Sequence, residues 1–394
     1  MTRSVIVSAV RTPFGNFQGA LRAQSAMALG GTAIEAAITR AGVAKNEVDG
    51  VYMGMALQAG QGQNPSRQAA RLAGLTWETP SLTVNKSCAS GMRSITLTDA
   101  LIRAGDLQVA VAGGMESASN TPHALQGVRQ GLQEGHLPLL DLMLVDGLTC
   151  AFHAVHMAEH GSEAAKAYGV TREEQDAFAL RSHQRALLAR NKGRLADELI
   201  PVPVKNAASA REIESDEAPK TDMTLRSLAN LSPVCETKGT VTVGNAASVN
   251  DGAAALVVME ENYAVQGGHK PLARILASTE VGTEASQLAI APALAIRRLL
   301  QKTGLTLAHI DLFEIHELFA AVPLVCGKML EYETQKVNVN GGALAYGHPI
   351  GASGARIVTT LVHELRRRGG GLGIAAICSG AAQGDAVLLE VYGE

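Results

Sequence analysis

The chain has 394 residues, more than one ordinary hydrophobic core holds, so two or three packed units are expected. Apolar residues at 46% with charged residues at 18% exclude a disordered chain, and 41 glycines beside only 3% aromatics suit α/β layers packed through small side chains. The net charge of -3 offers no basic field to a nucleic acid, and there is neither an apolar run of about 18 residues nor an amino-terminal signal pattern, so a cytoplasmic protein with no nucleic-acid or membrane partner is expected.

In chain order, strand signals at Val5-Ile6-Val7, Val51-Tyr52-Met53, Val109-Ala110-Val111 and Ala255-Leu256-Val257-Val258 interleave with helical patterns, the alternation of α/β layers. Ala26, Leu29, Ala33, Ile34, Ala37, Ile38 and Ala41 recur at helical spacing. Thr171 with Glu174 forms a capping box ahead of a helix through Phe178, Leu187 and Leu188. Between about 119 and 241 the text turns polar, with a Pro-flanked stretch at 200–203 and a mixed-charge run over 211–220. This predicts an inserted loop-rich region between two more regular halves, with units at 1–118, 119–249 and 250–394. Five cysteines, at 88, 150, 235, 326 and 378, are an odd number with no CxxC pair, against a disulfide framework or a structural zinc site.

The two regular halves resemble each other. Residues 89–93, ASGMR, recur at 352–356 as ASGAR, and each opens an apolar helix that ends in arginine and glycine. Upstream, Val84-Asn85 corresponds to Val337-Asn338, so a duplicated unit of strand, Gly-rich turn and helix is expected. Cys88, in VNKSCASGM, falls near the positive end of the first of these helices, an environment that favours thiolate and hence a nucleophile.

Downstream lie GHPIGASG at 347–354 and ICSG at 377–380, a histidine and a second thiol among small residues. With VNKSCASGM, GGMES, DGLT, GTVTVGNA and NDGAA they occur in an order and at separations that resemble the thiolase family over nearly the whole chain. The resemblance implies a five-layered α/β fold of two duplicated halves with an inserted loop domain. It also implies an acyltransferase that joins two acetyl-CoA molecules into acetoacetyl-CoA and, in reverse, cleaves 3-ketoacyl-CoA with coenzyme A. Cys88 matches the family nucleophile, Cys378 the acid/base, and His348 the histidine that activates the nucleophile and holds the thioester oxygen of the enolate. The backbone N–H groups of Cys88 and Gly380 match a second oxyanion hole.

Some positions depart from the family pattern. Where Asn-Glu-Ala-Phe is common the chain has HELF, so His316 takes the place of the asparagine that orients an oxyanion-hole water, with Leu318 and Phe319 beside the acyl groups. Ala247 stands where a serine often contacts pantetheine, and Ser248 follows it. Leu148, His156, Met157 and Ser227 match residues along the coenzyme A path, and Lys220 replaces a common arginine. The run HAVHMAEH at 153–160 spaces histidines for one helical face, but with no convincing remaining ligand set no metal is expected. No tightly bound cofactor is implied: coenzyme A thioesters are substrates, and the family assembles as homodimers or homotetramers. Segment 139–149 resembles the loop of biosynthetic-type members and favours short acyl chains. The alternatives are a longer-chain 3-ketoacyl-CoA thiolase of fatty-acid β-oxidation and a catalytically inactive thiolase-fold binding protein.

Overall fold

Successive side chains of a strand point to opposite faces, and in the run Asn250–Glu260 both faces are apolar. In the computed structural model, which describes residues 2–131, 134–206, 209–235 and 238–393, the run is a strand buried on both sides. Ala253, Ala255, Val257 and Met259 enter one apolar cluster, while Ala254, Leu256 and Val258 enter another.

This strand belongs to a ten-stranded sheet. Its main members are β1 (Ser4–Arg11), β2 (Gly50–Gly54), β3 (Ser81–Val84), β4 (Val109–Ser117), β5 (Asn250–Glu260), β6 (Ala273–Gly282), β7 (Leu312–Ile315), β8 (Gly370–Ser379) and β9 (Gln383–Tyr392). They run in the order β7-β8-β9-β6-β1-β5-β4-β2-β3, and the short segment Gly15–Asn16 pairs with the start of β5. The sheet is two half-sheets joined at β1 and β6, where register pairs link Val5 to Arg274 and Ile6 to Ala273. Outward from this seam the halves match. β2 pairs in parallel with β4 and β3, as β7 does with β8 and, through a bridge from Phe313, with Val337. The Val84-Asn85 and Val337-Asn338 correspondence thus reflects one position in a duplicated unit.

The helices used below are α1 (Ala26–Ala41), α2 (Ser90–Ala104), α3 (Met157–Ala167), α4 (Arg172–Asn191), α5 (Ala291–Thr303) and α6 (Ser353–Arg367). Leu29, Ala33, Ile34 and Ile38 of α1 pack on the outer face of the first half-sheet, and Ala295, Ile296 and Leu299 of α5 on that of the second. Between the half-sheets lie α2 and α6, with Met92, Ile95, Ile357, Val358 and Leu361 in one cluster with Leu256 and Ile377. The succession helix, half-sheet, helix pair, half-sheet, helix gives five layers. The repeated glycines are needed where the two central helices begin. A Cβ on Gly91 would lie 2.7 Å from the Gly351 carbonyl oxygen, and one on Gly354 would lie 2.4 Å from the Met92 nitrogen.

The region between the halves is anchored from both sides. Arg11, buried on β1, meets Glu198 at 2.6 Å and Asp216 at 2.6 and 2.8 Å. The buried Glu317 carboxylate accepts from Ser182 of α4 at 2.6 Å and from Asn338 at 2.8 Å. Thr171 and Glu174 make the reciprocal capping bonds at the start of α4, at 3.2 and 2.7 Å. No helix among the described residues is long and apolar enough to cross a membrane.

Candidate active site

Cys88 is presented by the turn between β3 and α2. Ser87 adopts a left-handed φ of 46°, a conformation that costs a non-glycine residue of order 1 kcal/mol or more and persists only when its surroundings hold it. Here the Asn85 side chain accepts the Ser87 N–H at 3.0 Å, and the Ser90 hydroxyl donates to the Ser87 carbonyl at 2.6 Å while accepting from Lys86 N–H at 2.8 Å. Cys88 is left two residues ahead of α2 and 1% exposed. The expectation that the helix end makes it a thiolate is overturned. Burial pushes the thiol up to about 12, outweighing the Gly380 and Cys88 N–H groups that favour the anion, and the Glu116 charge adds to the rise.

His348 follows Gly347, whose φ of 91° and contact with Asn250, 2.0 Å from where a Cβ would stand, leave room only for glycine. The His348 N–H is shared between the Ser248 carbonyl at 2.9 Å and Asn250 Oδ1 at 3.1 Å, and the Ser248 hydroxyl donates to that same oxygen at 2.7 Å. Held this way, the imidazole places Nε2 3.2 Å from Cys88 Sγ. Its Nδ1 lies 2.6 Å from Ser353 Oγ and 3.2 Å from His316 Nε2. Ser353 Oγ in turn donates to the Pro349 carbonyl at 3.1 Å. Burial, then the Arg356 charge, hold His348 down at about 3, so the ring is neutral. His316 is lowered well below the ordinary imidazole range by burial, His348 and Arg356, and its Nδ1 is buried with no hydrogen-bond partner among the described residues.

Cys378 lies near the end of β8, opposite Gly384 of β9. Burial and then the neighbouring Cys88 and Cys326 thiols push it well above the ordinary thiol range. Gly380 brings its N–H to the Cys88 thiol. Beneath this group Glu116, at the end of β4, accepts from the N–H groups of Ala56 at 2.9 Å, Leu57 at 3.2 Å and Gly351 at 2.8 Å. It thereby ties the first half to the turn that follows His348, and burial raises it to about 7. Ser353, Asn250 and Glu116 stand inside quoted motifs but were given no role from sequence. The sequence signal was their position in those motifs.

Cys88, His348, His316, Cys378 and Gly380 are therefore brought together. The expected substrate residues are distributed over several segments of the loop region and the C-terminal half. Lys220 and Ser227 share a groove with Met223, Leu228 and Val243. Ser227 also donates to the Thr224 carbonyl at 2.8 Å, and the Lys220 N–H donates to His183 Nδ1 at 3.1 Å. Leu148 ends a wide helical turn, Met143–Leu148, in which Gly147 faces Leu57 and Ile350. Leu318, Phe319 and Met157 are buried in one apolar cluster, with the Leu318 carbonyl accepting from Ala247 N–H at 2.9 Å. Ala247 is half-buried and Ser248 is exposed. The histidines of 153–160 do not share a helical face. The helix starts at Met157, so only His160 lies within it, and His156 caps it through Nδ1, 3.1 Å from Ala158 N–H.

A duplicated five-layered α/β fold that buries a thiol against an imidazole, with a second thiol from the opposite half beside it, defines the thiolase class. The chain belongs to the thiolase family: residues 4–262 match the family's N-terminal domain and residues 269–391 its C-terminal domain. It is 47% identical to the acetyl-CoA acetyltransferase of Escherichia coli (strain K12), with 99% of each chain covered. It is 44% identical to a probable acetyl-CoA acetyltransferase of the same organism, over 98% of each. The crystal structure of the Bacillus anthracis acetyl-CoA acetyltransferase superposes with a TM-score of 0.96 at 40% identity, covering 99% of each chain.

Proposed function

We propose that the chain interconverts two molecules of acetyl-CoA with acetoacetyl-CoA and coenzyme A through an acyl group carried on Cys88. The contact of 3.2 Å between Cys88 Sγ and His348 Nε2 carries this reading, because it gives a protonated thiol a base within hydrogen-bond reach. With the Nδ1 proton donated to Ser353 Oγ, which passes its own to the Pro349 carbonyl, Nε2 remains the acceptor.

As Cys88 sulfur bonds to the thioester carbon, its proton moves to His348 Nε2, and Cys378 protonates the departing coenzyme A sulfur. The N–H groups of Cys88 and Gly380 stabilise the oxyanion of this step, a contribution of about 3–4 kcal/mol for a donor in comparable sites. For condensation, the Cys378 thiolate left by that transfer takes a proton from the α-carbon of a second acetyl-CoA while its thioester oxygen rests on the His348 Nε2–H and on the group held by His316. The carbanion attacks the acyl-enzyme carbonyl and expels Cys88 sulfur, which recovers its proton from His348 Nε2. Thiolysis runs the sequence backwards. Lys220 and Ser227 flank the nucleotide end of the substrate, and Leu148, His156, Met157, Ala247, Ser248, Leu318 and Phe319 flank pantetheine and the acyl group, a reading supported by the family resemblance. The same resemblance supports a cytoplasmic homodimer or homotetramer in short-chain lipid metabolism.

Incubation with acetyl-CoA alone, followed by peptide mass spectrometry, tests the proposal. An acetyl group is expected on Cys88, and label confined to Cys150, Cys235 or Cys326, or no label, removes its basis.

A further inference from the structure

A second cluster of reactive side chains lies between the loop after Leu148 and helix α3. Thr149 and His156 pair as an antiparallel bridge, Cys150 N–H donates to the Val155 carbonyl and Ala154 N–H to the Cys150 carbonyl, each at 2.8 Å. The chain doubles back through Ala154 at a φ of 54°. This turn sets Cys150 and His153 against His160 of α3, with the donor atoms of all three within 4.8 Å of one another. Cys150 and His160 are buried, whereas the His153 side chain is 42% exposed.

We propose that this cluster binds one zinc ion through Cys150 Sγ, His153 Nδ1 and His160 Nε2, with water as the fourth ligand on the solvent side of His153. Two nitrogens bound to tetrahedral zinc at about 2.0 Å stand about 3.3 Å apart. His153 Nδ1 and His160 Nε2 are 3.3 Å apart. A Zn–S bond of about 2.3 Å requires sulfur about 3.5 Å from each nitrogen, and Cys150 Sγ stands within 4.8 Å of both. The outer contacts point the same way. Imidazoles that ligate zinc commonly give their other nitrogen to a carboxylate. His153 Nε2 lies 3.2 Å from Glu284, and His160 Nδ1 lies 3.3 Å from Glu163. Two histidines, each with one nitrogen turned to the common centre and the other to its own carboxylate, form a ligand set with its outer support in place.

On binding, the Cys150 thiol releases its proton to solvent and its sulfur bonds to the metal. Since Glu284 belongs to the C-terminal half, the ion would fasten the segment between Leu148 and His156 to that half, beside the expected substrate path. The sequence showed His153 and His160 within one histidine run but not their third partner, because Cys150 joins them only through the turn at Ala154.

The test uses the full-length protein stripped with a chelator and titrated with Co²⁺ and then with Zn²⁺. About one Co²⁺ per chain should bind with a thiolate-to-metal charge-transfer band, and Zn²⁺ should displace it. The band should survive Cys88→Ala and Cys378→Ala and vanish in Cys150→Ser. His153→Gln, at an exposed position where folding is not at stake, should weaken binding about 100-fold or more, and Glu284→Gln about 10–100-fold. Absence of uptake, a band that persists in Cys150→Ser or disappears in Cys88→Ala, or an unchanged affinity in His153→Gln would overturn the proposal and leave only a hydrogen-bonded histidine pair.

Discussion

The resting state of Cys88 gives the sharpest prediction. A cysteine of ordinary pKa near 8.5 is about 3% thiolate at pH 7, whereas a thiol held up to about 12 is thiolate in about one molecule in 10⁵. His348, held at about 3, cannot store the proton in the resting site either. The free enzyme should therefore carry a neutral pair, with the proton moving only as carbon–sulfur bond formation relieves the sulfur of its charge. The perturbation is pH, applied to wild type and Cys88→Ser. The assay is the far-ultraviolet absorbance of thiolate, taken as the difference between the two proteins, alongside the ring signals of His348 by NMR. No Cys88-dependent thiolate should appear between about pH 5 and about pH 9, and the imidazole should stay neutral until the pH falls toward about 3. One thiolate per chain titrating at or below pH 7, lost in Cys88→Ser, would refute the reasoning and mean that the N–H groups of Gly380 and Cys88 outweigh burial.

Three further outcomes are expected. Cys378→Ala should still take up an acetyl group from acetyl-CoA yet condense about 10²–10⁴-fold more slowly, measured by acetoacetyl-CoA formation, and an unchanged rate removes it as the base. Leu318→Ala should lower stability by about 2–5 kcal/mol in denaturant unfolding, because the side chain is buried in an apolar cluster, and a loss under about 1 kcal/mol would mean that it faces open space instead. Folding raises Glu116 from 4.5 to about 7, so the folded state binds the extra proton between those values. Its contribution is therefore greatest below about pH 4.5 and falls by about 3 kcal/mol as the pH rises through 7. The pH dependence of unfolding in wild type minus that in Glu116→Gln reads this directly, and a difference that rises with pH contradicts it.

What the sequence disclosed was whatever depends on neighbours along the chain or on repetition. The Thr171 capping box is a contact between residues three apart, and the ASGMR and ASGAR repeat records the close approach of Gly91 and Gly354. The five-layered fold followed from the resemblance and the repeat together. The charge state of Cys88 was misjudged because the local feature, a helix end, contributes about 0.3–1 kcal/mol, while the desolvation that outweighs it comes from strands and helices far along the chain. Ser353 could be read as part of a glycine-rich turn, but its contact with His348 Nδ1 appears only when that turn is folded. The histidines of 153–160 misled by regular spacing, since the helix that spacing suggests begins only at Met157.

The seam at Gly91 and Gly354 divides the chemistry as well as the packing. The proposed nucleophile comes from one half, and its base and the second thiol come from the other. The stretch between residues 262 and 269, where one family domain ends and the next begins, is then a natural place to cut the gene. Either polypeptide alone would lack part of the reaction machinery. Mixed, they would regain turnover only by re-forming a junction too tight for a single added methyl, so activity in such a mixture would report, with high gain, whether two separately made chains have docked in the right register.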